Sequence, residues 1–112
     1  MNLLIIEDNA AVRGLIRRVA AGAADEVYEW ADGSEALAAY SRARPDWVLM
    51  DIEMEEMDGI TATREIMALD ADAKIIIVTS HDCAELREAA SIAGASGYVL
   101  KDNLLDVPRL MT

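Results

Sequence analysis

Five short apolar runs, separated by longer stretches with helical spacing, constrain the fold of this chain more than any other feature. Runs this short, bounded by Asp, Gly or Lys, are typical of strands, and their nearly continuous apolar character indicates burial on both faces. Glu29 interrupts the second run, which favours an edge strand. The runs cover residues 3–6, 27–31, 47–50, 75–78 and 98–100.

The stretches between these runs repeat apolar residues at the spacing of an amphipathic helix. The first helical stripe is Val12, Leu15, Ile16, Val19 and Ala20, spaced i, i+3, i+4, i+7 and i+8. Strands that alternate with helices predict right-handed crossovers and a parallel sheet covered by helices on both faces. We expect a short last helix within residues 102–112, because Pro108 limits it.

Charge and length exclude several classes of protein. The chain has 112 residues with 10 basic and 21 acidic side chains, a net charge of −11, which argues against direct binding to nucleic acid or to an anionic membrane. With 54% apolar residues it can bury a core, and we expect one domain over residues 1–112. A single cysteine permits no internal disulfide, and no leader or apolar span is evident, so we expect a cytoplasmic protein.

Four of the apolar runs are followed directly by polar side chains at their carboxyl ends. Parallel strands share one carboxyl edge, where ligands bind in open α/β sheets, so these side chains are the candidate functional site. They are Glu7 and Asp8 after the first run, Asp51 after the third, Thr79 after the fourth and Lys101 after the fifth. A single aspartate at a strand end is commonly a terminator or a helix cap, whereas the whole set favours a functional site.

The chemistry of this set points to a metal ion and a phosphoryl group. If the first and third strands are neighbours, Glu7, Asp8 and Asp51 repel one another unless a cation lies between them. Mg²⁺ is the simplest such cation, since it binds one or two carboxylates and keeps several waters. The ammonium of Lys101 and the hydroxyl of Thr79 suit phosphoryl oxygens, and a carboxylate can itself be the nucleophile.

Five motifs in order and in register resemble the receiver domain of response regulators, the CheY-like family of two-component signalling. They are LLIIEDN at 3–9, PDWVLMDIEM at 45–54, MDGI at 57–60, IIIVTS at 75–80 and GYVLK at 97–101. They extend over nearly the whole chain. The resemblance implies a flavodoxin-like (βα)5 three-layer sandwich with strand order 2-1-3-4-5, here with a short last helix.

The resemblance also implies the metal and acceptor residues. Asp51 matches the phosphoacceptor, and Glu7 and Asp8 match the acidic pair. Asp8, Asp51 and the backbone carbonyl of Glu53 are then expected to hold Mg²⁺ or Mn²⁺. Lys101 matches the lysine that pairs with the phosphoryl group.

Switch and tuning residues follow from the same resemblance. Thr79 matches the hydroxyl that moves toward the phosphoryl group, and Tyr98 matches the aromatic side chain whose rotamer follows it. An added dianionic group would draw in Thr79 and leave space that Tyr98 can fill. Glu53 and His81 line the approach to the site in this family and are expected to tune dephosphorylation.

The function implied is phosphorelay signalling. A sensor histidine kinase or a phosphotransfer protein would supply the phosphoryl group, and the switch would control a downstream protein or an output domain absent from this chain. The protein would act only on its own aspartate, so we do not expect a conventional enzyme. A homodimer through the fourth helix, fifth strand and fifth helix is compatible with the resemblance. Two positions depart from the family, Glu55 and Asp102, where proline is common.

Two other functions fit parts of the sequence. A receiver-shaped interaction module would bind partners without phosphorylation, but it would not need the complete set of acidic, hydroxyl and lysine side chains. A small metal-dependent phosphohydrolase with an aspartate nucleophile usually carries a second aspartate two residues later, where this chain has Glu53.

Overall fold

A parallel five-stranded sheet forms the centre of the protein, with the order β2-β1-β3-β4-β5. The computed structural model describes residues 1–20, 22, 24–54 and 57–111, so Glu55 lies outside the described residues. The α/β fold predicted from the sequence and the strand order implied by the family resemblance are confirmed, and β2 is an edge strand as expected. The strands are β1 (Asn2–Ile6), β2 (Glu26–Trp30), β3 (Trp47–Met50), β4 (Ile75–Thr79) and β5 (Gly97–Leu100).

Helices cover both faces of the sheet. They are α1 (Ala10–Ala20), α2 (Ala36–Ala43), α3 (Gly59–Leu69), α4 (Ala84–Ala93) and α5 (Asp106–Leu110). The last helix is short, as predicted. Pro108 lies in its first turn, where a missing N–H removes no hydrogen bond of the helix. None of the helices in the described ranges is long and apolar enough to cross a membrane.

The core has two halves, one on each face of the sheet. Side chains of a strand point alternately to opposite faces, so Leu4 and Ile6 lie in the half of the core that α2, α3 and α4 cover, while Leu3 and Ile5 lie in the half under α1 and α5. All four are fully buried, and each contributes about 1.5–3 kcal/mol to the stability by the hydrophobic effect. The continuous apolar character of the runs therefore reflects burial on both faces.

The apolar stripe of α1 is narrower than the sequence predicts. Ile16 and Ala20 are buried against the sheet, whereas Leu15 is 46% exposed. Leu15 lies at the margin of the stripe, because the sheet is contacted along the row of residues spaced by four positions. Gly94 ends α4 with a φ of 110°, a conformation that favours glycine.

Candidate functional site

The acidic residues meet at the carboxyl edge of the sheet because β1 and β3 are direct neighbours. Ile6 pairs with Met50 in the register of the two strands, and the Asp51 N–H donates to the Ile6 carbonyl at 3.0 Å. Glu7 and Asp51 therefore leave adjacent strand ends side by side. Asp8 follows at the start of the loop that leads into α1.

These three carboxylates form a group that suits a divalent cation. One oxygen each from Glu7, Asp8 and Asp51 lies within 4.8 Å of the others. Glu7 and Asp51 are only 1% and 4% exposed, whereas Asp8 is exposed. Glu7 Oε1 is buried and accepts no hydrogen bond of regular geometry from the described residues. Three carboxylates held this close to one another fit a hard cation such as Mg²⁺.

Lys101 supplies the positive charge of the group. Its Nζ lies 2.7 Å from Glu7 Oε1 and 3.4 Å from Asp51 Oδ1, so the contact with Glu7 is a close ion pair although its angles are irregular for a hydrogen bond. Burial lowers the pKa of Lys101, but Glu7 and Asp51 more than offset this and leave the pKa raised. The ammonium therefore stays charged beside the carboxylates.

The surroundings of Asp8 raise the pKa of its carboxyl group. Burial raises the pKa of its carboxyl group, and the neighbouring Glu7 raises it further. Both causes act against the ionised form, so a nearby cation would favour ionisation of this carboxylate. Asp8, Asp51 and Lys101 all line an open cleft of about 610 Å³ at this edge of the sheet.

A second group of predicted residues is connected through the backbone of His81. The His81 N–H donates to Thr79 Oγ1 at 3.2 Å, and the Tyr98 hydroxyl donates to the His81 carbonyl at 2.7 Å. Thr79 is buried, and it pairs with Leu100 in the register of β4 and β5, next to Lys101. The structure therefore links Thr79 of β4 to Tyr98 of β5 through His81 in the loop that follows β4.

Glu53 and His81 are brought together across the site. The His81 Nε2 and Glu53 Oε1 atoms are in contact; the Glu53 side chain is largely exposed and that of His81 is partly exposed. The contact joins the loop after β3 to the loop after β4. The two residues expected to tune dephosphorylation thus form a single pair.

Asp58 and Gly59 position the acceptor, a role that the MDGI motif alone did not reveal. Asp58 caps α3 by accepting a hydrogen bond from the Thr61 N–H at 2.8 Å. A Cβ atom on Gly59 would lie 1.8 Å from the Asp51 carbonyl oxygen. Glycine therefore lets α3 begin directly against the acceptor. The signal in the sequence was a glycine at a helix start, where it is otherwise unfavourable.

Arg13 was also not singled out by the sequence. It donates from Nη1 to the Glu7 carbonyl at 2.7 Å and from Nε to Glu29 at 3.1 Å. These two hydrogen bonds connect α1 to the ends of β1 and β2.

The peptide between Lys101 and Asp102 is trans.

Comparison with known proteins decides the family. The family model of the response regulator receiver domain matches residues 3–111. The chain belongs to this family. As a receiver domain it is a module of two-component signalling.

Relatives of this receiver domain include chemotaxis proteins and transcriptional regulators. The chemotaxis protein CheY of Halobacterium salinarum is 41% identical over 103 residues, which cover 88% of this chain and 82% of the relative. The transcriptional regulatory protein YhcZ of Bacillus subtilis is 40% identical, and the match covers 91% of this chain but 49% of that protein.

Solved structures share the fold of this receiver domain. A LuxR-family two-component response regulator from Aurantimonas superimposes with a TM-score of 0.89 at 33% identity, over 96% of this chain and 79% of that one. The CheX-CheY-BeF3-Mg complex from Borrelia burgdorferi gives 0.87 at 27% identity, over 98% and 85% of the two chains. The acidic group of Glu7, Asp8 and Asp51 is compatible with the magnesium site of a receiver domain.

Proposed function

We propose that Asp51 accepts a phosphoryl group from a phosphohistidine of a sensor histidine kinase or of a phosphotransfer protein. The proposal takes residues 1–112 as a single receiver domain. One observation carries it: the 4% exposed carboxylate of Asp51 lies beside the acidic pair and 3.4 Å from the ammonium of Lys101. A carboxylate in such surroundings is both oriented and accessible from the open cleft.

The transfer forms one bond and breaks another. An oxygen of Asp51 attacks phosphorus, the bond from phosphorus to the histidine nitrogen breaks, and the products are an aspartyl phosphate and a histidine. Attack by water later returns the carboxylate and releases inorganic phosphate. Catalysis of such transfers depends mainly on positioning and on charge neutralisation.

The residues around Asp51 divide these tasks. Glu7, Asp8, Asp51 and the Glu53 carbonyl would hold Mg²⁺ or Mn²⁺, which when bound neutralises phosphoryl oxygens and carboxylates. Lys101 already lies 3.4 Å from Asp51 Oδ1 and would pair with the new phosphoryl group.

Thr79 and Tyr98 are proposed to convert the modification into a change of shape. The Thr79 hydroxyl can donate a hydrogen bond to a phosphoryl oxygen. Its movement would shift the His81 N–H, which donates a hydrogen bond to Thr79 Oγ1 in this structure. The His81 carbonyl in turn accepts a hydrogen bond from the Tyr98 hydroxyl, so a chain of hydrogen bonds connects the three residues. A downstream protein or an output domain outside this chain would detect the change.

The face formed by α4, β5 and α5 is the proposed surface for a homodimer.

Glu53 and His81 are proposed to set the lifetime of the aspartyl phosphate. Their side chains pair at the approach to Asp51, where the anionic Glu53 would orient the attacking water. In a Glu53→Ala variant the lifetime should change, and an unchanged lifetime would remove Glu53 from this role.

Acetyl phosphate tests the proposed function without a kinase. The protein should gain one labile phosphoryl group by intact mass when Mg²⁺ is present, and none in EDTA. The adduct should be absent in Asp51→Asn and retained in Asp72→Asn, a control in the turn before β4 at the opposite edge of the sheet. No adduct under any condition would favour an interaction module that works without phosphorylation, and steady turnover of unrelated phosphoesters would favour a phosphohydrolase.

A further inference from the structure

Arg87 of α4 lies over the ring of Tyr98. Its guanidinium carbon is 4.5 Å from the ring centroid. A guanidinium in this position is attracted by the negative face of the ring. Tyr98 belongs to β5, so the contact joins a helix on the outer layer to a strand of the sheet.

Asp82 holds Arg87 in this position. Asp82 Oδ1 lies 3.3 Å from both the Nε and the Nη2 atoms of Arg87. Two contacts to one guanidinium orient its plane as well as its charge. Asp82 lies in the loop between β4 and α4, directly after His81.

The Tyr98 side chain is therefore held at two points. Arg87 covers the face of the ring, and the His81 carbonyl accepts its hydroxyl at 2.7 Å. An outward rotation of the ring would lose both contacts at once. Both contacts also depend on the same loop, since Asp82, the partner of Arg87, directly follows His81.

We propose that Arg87 is a positioning residue for Tyr98, which it keeps turned toward the His81 carbonyl before any phosphoryl group arrives. The proposal rests on the proposed function insofar as Tyr98 acts in the switch. It predicts that the unmodified protein favours the Tyr98 rotamer in which the hydroxyl donates to the His81 carbonyl. Arg87 and Asp82 are 44% and 69% exposed, so the device lies at the surface of α4, where solvent or a partner can reach it.

Fluorine NMR of protein labelled with 3-fluorotyrosine tests the proposal. The chain has three tyrosines, and a Tyr98→Phe variant assigns the signal of Tyr98. In Arg87→Ala the Tyr98 signal should shift toward that of a solvent-exposed tyrosine, while the signals of Tyr28 and Tyr40 stay in place. Arg87→Lys should restore part of the shift, because it keeps a cation but lacks the planar group that stacks.

Two further variants separate positioning from a general effect of losing charge. Asp82→Asn should move the Tyr98 signal in the same direction as Arg87→Ala, because it releases the guanidinium. Arg64→Ala on α3 removes an exposed arginine elsewhere and should leave the signal unchanged. An unmoved Tyr98 signal in Arg87→Ala, or an equal shift in Arg64→Ala, would overturn the proposal.

Beryllofluoride with Mg²⁺ then measures the bias itself. In the unaltered protein the Tyr98 signal should respond weakly, since Arg87 and the His81 carbonyl already hold the ring, and in Arg87→Ala it should respond strongly. An equally strong response in both proteins would contradict the bias. If neither protein responds at any tyrosine, the proposed phosphorylation function fails, while the shift of Arg87→Ala without ligand still decides the role of Arg87.

Discussion

The surroundings of Asp51 depend on the close approach of Gly59 as well as on charged side chains. The Gly59 N–H donates to the Ile52 carbonyl at 2.8 Å, and its missing side chain leaves room for the Asp51 carbonyl. A Cβ at this position would overlap the backbone, which cannot yield as a flexible side chain would. The position of the acceptor thus depends on a residue that carries no chemistry.

Substitution of the two helical glycines should have opposite effects. Gly59→Ala should lower the free energy of unfolding by about 1–3 kcal/mol, because the added methyl group displaces the Asp51 backbone. Gly14→Ala in α1 should raise it by about 0.5–1 kcal/mol, since nothing lies within 4 Å and alanine favours the helix. Urea unfolding of both variants checks the pair. Equal effects would mean that the contact with Asp51 is not limiting.

At the scale of elements, α2 and α3 are joined at the edge of the sheet away from the site. The hydroxyl of Tyr40, a residue of α2, donates to Asp70 Oδ2 at 2.7 Å just beyond the end of α3. Burial first, and the bond to Asp70 second, raise the pKa of Tyr40 to about 12. The same bond lowers the pKa of Asp70.

The link should show in the dependence of stability on alkaline pH. The pKa of Tyr40 is about 12 in the folded protein, while the unfolded chain releases this proton near the ordinary tyrosine pKa of 10.0. The contribution of Tyr40 is therefore complete below pH 10 and is lost as the pH rises toward 12. Tyr40→Phe should cost about 1 kcal/mol at pH 8, and the difference from the unaltered protein should shrink at pH 11. Urea unfolding at the two values measures this, and a difference independent of pH would rule out the link.

At the scale of the whole molecule, the net charge of −11 is concentrated in part around one site. Glu7, Asp8 and Asp51 form the cation group, while Glu53 and Asp58 line the same cleft. Like charges held this close oppose folding unless they are neutralised. Lys101 neutralises part of the charge, and the remainder favours a divalent cation over general screening by salt.

Mg²⁺ should therefore stabilise the protein more than NaCl at equal ionic strength. At a free concentration one hundred times its Kd, binding should add about 2.7 kcal/mol to the free energy of unfolding. Asp8→Asn should abolish this gain, and the metal-free variant should be more stable than the unaltered protein by less than about 1 kcal/mol, because solvent screens this exposed carboxylate. Thermal unfolding measures both effects. Equal stabilisation by the two salts would argue against a specific site.

Much of the fold was predictable because it depends on local periodicity. The run at residues 47–50 coincides with β3, and the other predicted runs end within one residue of the observed strands. The exposure of Leu15 was not predicted, because the spacing of apolar residues in a helix does not determine which of them contact the sheet. Gly59, Arg13 and Arg87 were missed as positioning residues because each contacts a segment that is distant in sequence or lies across an element boundary.

The sequence by itself determined the alternation of strands and helices and the polar side chains that follow the strands. Both follow from short-range pattern, since hydrophobic spacing selects the element and the parallel order places the strand ends at one edge. Only the tertiary structure decided that Lys101 lies closer to Glu7 than to Asp51, and that the His81 carbonyl holds Tyr98. The physical reason is that these contacts depend on how separate elements pack, and differences of less than an ångström there select the partner of a charge or a hydroxyl.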